Sequence, residues 1–279
     1  MSFTVHSLLL PAIDKLKLAG VPEPQRDAWK LLAHVLNIGV DRIPLHLQKT
    51  ISHIEEQKFK NVVSRRANRV PVSYILGYRD FFEHRFAVTS DVLDPRPETE
   101  HLIIEALRED FAEVLDLGTG SGCIVISLLA QKSNAIGLGV DQSEAALEIA
   151  QKNARAIGVA ERCEFCVSNW FSNVPEVQFD LIVANPPYIH PNVMGALSPE
   201  VLHEPKCALT DHLDGLNAYR KIAMSAKKFL KPGGRLIFEI GFDQGVAVSD
   251  ILSRYFFEDI LVIQDFDERD RLVFCRQNS

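Results

Sequence analysis

From about residue 111 to the C-terminus, short apolar runs alternate with amphipathic stretches, and this alternation constrains the chain more than any other feature. Glu113–Leu117, Ala135–Val140, Cys163–Val167, Asp180–Ala184, Arg235–Ile240, Asp259–Ile263 and Leu272–Cys275 are short and rich in Val, Ile, Leu and Phe, as strands are. Cys123–Gln131, Ser143–Ile157, Ala218–Leu230 and a stretch near Gln244–Tyr255 read as helices filling the gaps. Strands separated by helices cannot pair through tight hairpins. They predict an α/β fold, a mostly parallel seven-stranded sheet covered on both faces.

The first 72 residues have a different texture. Leu8, Leu9, Ile13 and Leu16 recur at helical spacing, and Pro24 opens a second stripe of Ala28, Leu31, Leu32, Val35 and Leu36. Ser52-His53-Ile54-Glu55 has the form of a capping box. It predicts a third helix with Ile54, Phe59, Val62 and Val63 on one side, ending in the basic run Arg65, Arg66, Arg69 before Pro71. Residues 73–95 change again: Tyr74–Tyr78 and Phe82–Val88 predict a β-hairpin or a pair of short strands. Asp94-Pro95-Arg96-Pro97-Glu98-Thr99-Glu100 follows and leads into a helix near Thr99. The expected organisation is a small helical domain over 1–72, a hairpin linker over 73–95 and a larger domain over 96–279.

Charge and cysteine usage narrow the function classes. The net charge is −7, split as +5 over residues 1–70 and −12 over the remainder. So acidic a large domain is a poor partner for duplex DNA, where phosphate contacts dominate binding. The basic N-terminal part could approach something negative, or simply present a solvated helix face. Five scattered cysteines do not form a disulfide framework, and Cys163 and Cys166 fall on opposite faces of a strand. No metal site is expected. No apolar run approaches the ~20 residues of a membrane span, and the N-terminal stretch lacks a secretory pattern. A cytoplasmic, non-membrane protein is expected.

Two loops carry chemistry. Asp116-Leu117-Gly118-Thr119-Gly120-Ser121-Gly122 runs from a strand through a glycine turn into a helix. The spacing G-x-G-x-G differs from the G-x-G-x-x-G of pyrophosphate binders. Asp141, ending the next strand, is placed to accept from ribose hydroxyls; capping the following helix is its plainer role, although Ser143 is the better cap. After the third strand, Ser168-Asn169-Trp170-Phe171 lies where an adenine ring would sit: Asn169 could accept from the exocyclic amine and Trp170 could cover the ring. The plainer role for Trp170 is core packing.

The second loop is Asn185-Pro186-Pro187-Tyr188, directly after Asp180–Ala184. Ligands of open α/β sheets bind outside the carboxyl ends of strands. An amide or amine –NH₂ has two protons to donate. The Asn185 side-chain oxygen and the Pro186 carbonyl can accept one each, fixing the nitrogen with its lone pair toward an electrophile. The Tyr188 ring can stack on the planar group and favour positive charge nearby.

With these motifs in this order the chain resembles the class I S-adenosylmethionine-dependent methyltransferases, and more closely the HemK/PrmC family of protein-(glutamine-N5) methyltransferases acting on peptide chain release factors. Arg66 with Pro71, Tyr74-Ile75-Leu76-Gly77, Pro95–Glu100, Asp116–Gly122, Asn185–Tyr188, Glu204-Pro205, Asp214-Gly215-Leu216 and Glu239-Ile240-Gly241 with Gln244 carry the resemblance. Asp94, where family members often have an apolar residue, and Asn169, where an Asp is usual, depart from it. The resemblance implies a Rossmann-like methyltransferase sheet. It implies S-adenosylmethionine held by Gly118, Thr119, Gly120, Ser121, Gly122, Asp141, Trp170 and Asn185, with S-adenosylhomocysteine as product. It also implies that Asn185, Pro186, Pro187 and Tyr188 hold the glutamine of a Gly-Gly-Gln motif, with Asn185, Pro186 and Tyr188 as the catalytic group. Release factors would be the partners, docked by the helical domain and hairpin, and no direct nucleic-acid substrate is expected. The rival readings are an adenine- or cytosine-N methyltransferase, which faces the same exocyclic-amine problem and flips the base out, a nicotinamide oxidoreductase, which leaves Asn185–Tyr188 unexplained, and a catalytically dead binding module.

Overall fold

Helix ends in the N-terminal region are set by residues that satisfy the free backbone groups of the first and last turns. In the computed structural model, which describes residues 3–278, the short strand β1 (Phe3–Thr4) pairs with β2 (Thr50–Ile51) and leads into α1 (Val5–Leu18), which Thr4 and Ser7 cap reciprocally. Pro24 opens α2 (Pro24–Leu36), and Asn37 closes it in the left-handed conformation, φ 51°. Ser52 and Glu55 form the expected capping box of α3 (His53–Ala67). Leu8, Leu9, Leu16, Leu31, Leu32, Phe59 and Val63 share one core with Ile75. Ile54, expected on the buried side of α3, is 68% exposed. It sits in the first turn of α3.

Tyr74–Tyr78, expected as a strand, is mostly helix. Pro71 caps α4 (Val72–Leu76), and Gly77 ends it at φ 80°. The aromatic and β-branched bias that suggested a strand is here the buried face of one helical turn, with Ser73, Tyr74 and Ile75 inside. The hairpin lies further on, β3 (Tyr78–Phe81) with β4 (His84–Ala87). Phe82 and Glu83 form the turn, and Phe82 takes φ 50°. The chain divides into two compact units. One contains the residues up to Tyr78 together with Ser198–His203; the other contains Arg79–Leu197 and the chain from Glu204 onward. Apart from Tyr78, the hairpin therefore belongs to the second unit.

The second unit continues with a 3-10 turn, Pro97–Thr99, and α5 (Glu100–Ala106). Then come β5 (Glu113–Leu117), α6 (Cys123–Gln131), β6 (Ile136–Asp141), α7 (Glu144–Ile157), β7 (Cys163–Val167), β8 (Phe179–Ala184), α8 (Lys206–Leu209), α9 (Asn217–Phe229), β9 (Leu230–Glu239), α10 (Gly245–Arg254), β10 (Glu258–Gln264) and β11 (Asp270–Arg276). One seven-stranded sheet has the order β10-β11-β9-β8-β5-β6-β7. The pairs from β9 to β7 run parallel, and β11 lies antiparallel between β9 and β10. Two apolar cores cover its faces, one with α5, α6 and part of α7, the other with α9 and α10. After β5 the chain winds outward through β6 and β7, then returns to place β8 on the other side of β5. The carboxyl ends of β5 and β8 are the point where the winding reverses, which in open sheets opens a crevice for ligand.

Candidate functional site at the carboxyl ends of the parallel strands

The parallel pairing of Leu117 with Ala184 puts two loops side by side as they leave the sheet: Gly118 follows one residue and Asn185 the other. The glycine loop is held from below. The Val140 carbonyl accepts the amides of Gly118 and Thr119 at 2.8 and 2.9 Å. The Thr119 hydroxyl donates to the fully buried Asp116 carboxylate at 2.7 Å. Gly120 takes φ 55°, and a side-chain carbon there would point into open space; Gly122 takes φ 78°, and a side-chain carbon there would lie 2.6 Å from Ile126 and 3.2 Å from Ala150. Gly122 is thus required by close packing of α6 on α7, and Gly120 keeps the cavity floor bare.

Asp141 is fixed as part of the same loop. One carboxylate oxygen accepts the Gly120 amide at 2.9 Å and the other the Ser143 amide at 2.9 Å. Burial raises its pKa, and the backbone amides of Ser143 and Gly120 oppose that rise. Ser143, not Asp141, caps α7 through the Ala146 amide. Asp116 is pushed up to about 7, by burial first; the Thr119 and Val125 bonds restrain the shift and Asp141 adds to it. A cavity runs over Gly118, Gly120, Asp141, Ser143, Ser168, Asn169, Trp170, Asn185 and Pro187, so the glycine loop and the proline loop share one chamber. Trp170, at φ 54°, lines this cavity and also packs against the α9–α10 core. Its ring lies 3.7 Å from where a Gly118 side-chain carbon would stand. A bare glycine floor, an acid at the strand end and an indole on the wall fit a nucleoside with a short charged tail.

The proline loop is clamped in turn. Gln244 donates to the Tyr188 carbonyl at 3.1 Å and the Gly215 carbonyl at 3.2 Å, and its oxygen accepts the Gly241 amide at 3.0 Å. A side-chain carbon on Gly215 would lie 2.4 Å from the Tyr188 carbonyl oxygen, so only glycine fits. The Ile189 amide donates to the Leu209 carbonyl at 2.9 Å. Pro186 is buried, while Asn185, Pro187 and Tyr188 are half-buried and reachable. Asn185 donates its amide nitrogen to the Thr99 hydroxyl at 3.3 Å. Burial lifts the Tyr188 phenol well above its ordinary range, and Glu239 adds to this, so the ring stays neutral.

Acids gather around this loop. Glu204 accepts Arg96 through both carboxylate oxygens at 2.7 Å; burial still pushes it up to about 7, with Arg96 restraining and Asp94 reinforcing the shift. Asp94 is itself buried, 3.7 Å from Arg79. Asp94 thus has cations on either side, Arg79 and Arg96. Sequence reasoning did not single out Asn153. It is 1% exposed, and its side chain bonds the Ala87 amide and carbonyl and the Ser121 carbonyl, tying β4 to the glycine loop. Its signal was there to read: an Asn on the apolar stripe Ala146, Leu147, Ala150, Ala154 of α7.

Comparison with known proteins agrees with this architecture. The family described as PrmC N-terminal domain matches residues 7–77, and the family described as Methyltransferase small domain matches residues 91–212. The chain is similar to a release factor glutamine methyltransferase of Cereibacter sphaeroides, 49% identical over 96% of each chain. It is 39% identical to one of Rhodospirillum rubrum over 95% of this chain and 82% of that one. A bifunctional methyltransferase of Rickettsia felis is 34% identical over 98% of this chain and 58% of its own length. A methyltransferase structure from Pyrococcus furiosus, 16% identical, superposes with a TM-score of 0.54 over 70% of this chain and 89% of that one, a likeness of fold.

Proposed function

Because the chain belongs to the PrmC family of S-adenosylmethionine-dependent methyltransferases, we propose that it methylates the N5 amide nitrogen of the glutamine in the Gly-Gly-Gln motif of peptide chain release factors. The observation that carries this reading is the shared chamber in which Asn185 and Pro187 face the glycine loop and Asp141. S-adenosylmethionine supplies a methyl group on a positively charged sulfur, an electrophile that needs neither metal nor redox partner. In this reading Gly118, Thr119, Gly120, Ser121 and Gly122 form its floor, Asp141 accepts from the ribose and Trp170 covers the adenine.

Asn185 and Pro186 each accept one N–H of the substrate amide, the first with its side-chain oxygen and the second with its carbonyl. Both protons thus held, the nitrogen is turned with its lone pair toward the methyl carbon, which recovers part of the nucleophilicity that amide conjugation removes. Tyr188, kept neutral by burial, lies against the planar amide and favours positive charge forming on it. The extra proton leaves the methylated nitrogen to water, so no tuned general base is needed. The acidic second unit suits a protein substrate better than a phosphate backbone. The place of action is the cytoplasm, where release factors work; no helix among the described residues is long and apolar enough to cross a membrane.

The test is methyl-labelled S-adenosylmethionine with a purified release factor and, separately, duplex DNA and RNA, followed by peptide mapping. Label on the Gly-Gly-Gln glutamine is expected. Asn185→Ala should lower the transfer rate about 10²–10³-fold, with S-adenosylmethionine affinity measured alongside because Asn185 also lines the cofactor chamber. Label on nucleic acid alone would overturn the substrate.

A further inference from the structure

The proline loop can serve a substrate amide only if its carbonyls are divided between fold and substrate. Among the described residues the Pro186 carbonyl accepts no hydrogen bond, whereas the Tyr188 carbonyl accepts one from Gln244 at 3.1 Å. Neither Pro186 nor Pro187 has an N–H to donate, so the loop cannot anchor itself through its own amides. The peptide plane after Tyr188 is instead gripped at both ends. Its carbonyl goes to Gln244, and its N–H, that of Ile189, goes to the Leu209 carbonyl at 2.9 Å. One bond would leave that plane able to swing; two on opposite sides fix it.

Gln244, in the turn between β9 and α10, spends its side-chain amide wholly on backbone groups. The two Nε2 protons go to the Tyr188 carbonyl and to the Gly215 carbonyl at 3.2 Å, and Oε1 accepts the Gly241 amide at 3.0 Å. Turned over, the amide would set oxygen against two carbonyls and –NH₂ against an N–H, so these three groups fix its orientation. Tyr219 approaches Oε1 at 3.4 Å but gives its one proton to the Glu239 carbonyl at 2.9 Å. Asp211 shapes the third segment. Its carboxylate accepts the amides of Leu213, Gly215 and Asn217 at 2.9, 3.0 and 2.8 Å, which folds the turn before α9 and presents the Gly215 carbonyl. Gly215 takes φ 74°, and only the missing side-chain carbon lets this turn lie so close to the Tyr188 carbonyl.

Resting on the function proposed above, we propose that Gln244 and Gly215 act as one positioning device for methyl transfer: they hold the Tyr188 carbonyl to the fold, so that the Pro186 carbonyl and the Tyr188 ring keep their places at the substrate amide. Neither residue touches the substrate; both act through the proline loop. An amide nitrogen is a weak nucleophile, so its reaction depends steeply on alignment, and a misplacement of about 1 Å costs on the order of 10²-fold. The glycine loop is held by other groups, the Val140 carbonyl, Asp116 and Asp141. Among the described residues no hydrogen bond joins Gln244 to that loop. The device therefore governs the chemical step and leaves cofactor binding alone. A clamp serving stability only would lower the melting temperature and leave the rate of the folded enzyme unchanged.

The experiment is single-turnover methyl transfer to a release factor at saturating S-adenosylmethionine, with cofactor affinity by calorimetry and thermal unfolding measured alongside. Gln244→Leu removes both donors at nearly constant volume; it should lower the rate constant about 10–10²-fold with cofactor affinity as in wild type. Gly215→Ala should do the same by pushing the Tyr188 carbonyl aside. Gly233→Ala is its control: at φ 73°, with open space around its side-chain carbon, it carries the backbone strain without the clash and should keep the wild-type rate. Because Gln244 and Gly215 act on one carbonyl, the double variant should lose no more than the worse single one. Wild-type rates in Gln244→Leu, cofactor affinity lost in step with the rate, or losses that multiply in the double variant would each overturn the proposal; the first two hold even if Gly215→Ala fails to fold. No transfer by wild type to the release factor would overturn the proposed function, and this role with it, whereas full transfer by the variants overturns this role alone.

Discussion

The two units treat buried charge in opposite ways. In the helical unit Arg66, 4% exposed, donates to Asp27 at 2.7 Å, to Glu200 at 2.8 Å and to the Val70 carbonyl at 3.3 Å, while Arg69 grips both oxygens of Glu200. Burial alone would raise Glu200, but the Arg69 and Arg66 bonds hold it at about 2. In the second unit burial wins: Asp116, Glu204 and Glu239 are each pushed up to about 7. One oxygen each of Asp94, Asp116 and Glu239 lacks a partner among the described residues. In the first arrangement each acid faces a guanidinium, and removing one partner of such a buried pair is what costs stability. Under-partnered acids beside a cavity are what a functional site accumulates. The contrast also bears on the basic run that ends α3, Arg65, Arg66 and Arg69. Arg65 alone is exposed, and the other two are consumed internally.

The sharpest way to break this comparison is Arg66→Met, which takes the guanidinium from buried Asp27 and leaves Glu200 with Arg69 alone. It should cost about 3–5 kcal/mol in a urea unfolding series; a cost below that of an ordinary surface change would mean the helical unit is not built on this pair. Next is the pH dependence of stability. Asp116 and Glu239 keep their protons in the folded chain at pH values where the unfolded chain has lost them, so their contribution falls as pH rises from the unfolded values toward about 7. Glu200 has the opposite sign: its contribution is complete above the unfolded value and is lost as pH falls toward about 2. Asp116→Asn should therefore flatten the decline between about pH 5 and 7, by on the order of 2 kcal/mol. A steeper decline would reverse the assignment.

Smaller effects sharpen the boundary between fold and site. Gly120→Ala puts a side chain at φ 55° on a carbon that points into the cavity. About 1–2 kcal/mol of backbone strain is expected, with a weaker S-adenosylmethionine dissociation constant by calorimetry. Unchanged affinity would show that the glycine floor is not the cofactor surface. The smallest is Ser52→Ala, which removes one capping bond of α3 at a cost of about 1 kcal/mol. It should leave cofactor affinity untouched.

Much of the fold could be read in advance because its signals are short-range. Ser52 and Glu55, Pro24 and the strand–turn–helix at Asp116–Gly122 each settle a local backbone choice within a few residues. Tyr74–Tyr78 misled for the same reason: its composition suits a strand, but Pro71 and Gly77 on either side, and a core to fill, made it one helical turn. In the candidate site, the glycines, Asp141, Trp170 and Asn185–Tyr188 were visible as motifs; Gly118, Gly120, Asp141, Trp170, Asn185 and Pro187 line one chamber, while Gly122, Pro186 and Tyr188 are not in its lining. Thr99, Glu239, Gln244 and Gly215 appeared beforehand only within stretches of family resemblance, and nothing near them in sequence indicates what they hold.

The sequence by itself determined the alternation that forces a parallel sheet, the caps and glycines that end its helices, and the two loops that must leave its carboxyl edge. These follow from backbone sterics and from hydrogen bonds between near neighbours. The tertiary structure decided which distant groups meet. Asn185 finds Thr99 across 86 positions, Arg66 finds Glu200 across 134, and Glu239 comes beside Asn185 only because β9 pairs with β8. A buried polar atom must take whatever partner the strand order brings within 3 Å, and strand order is a property of the whole sheet rather than of any local run of residues.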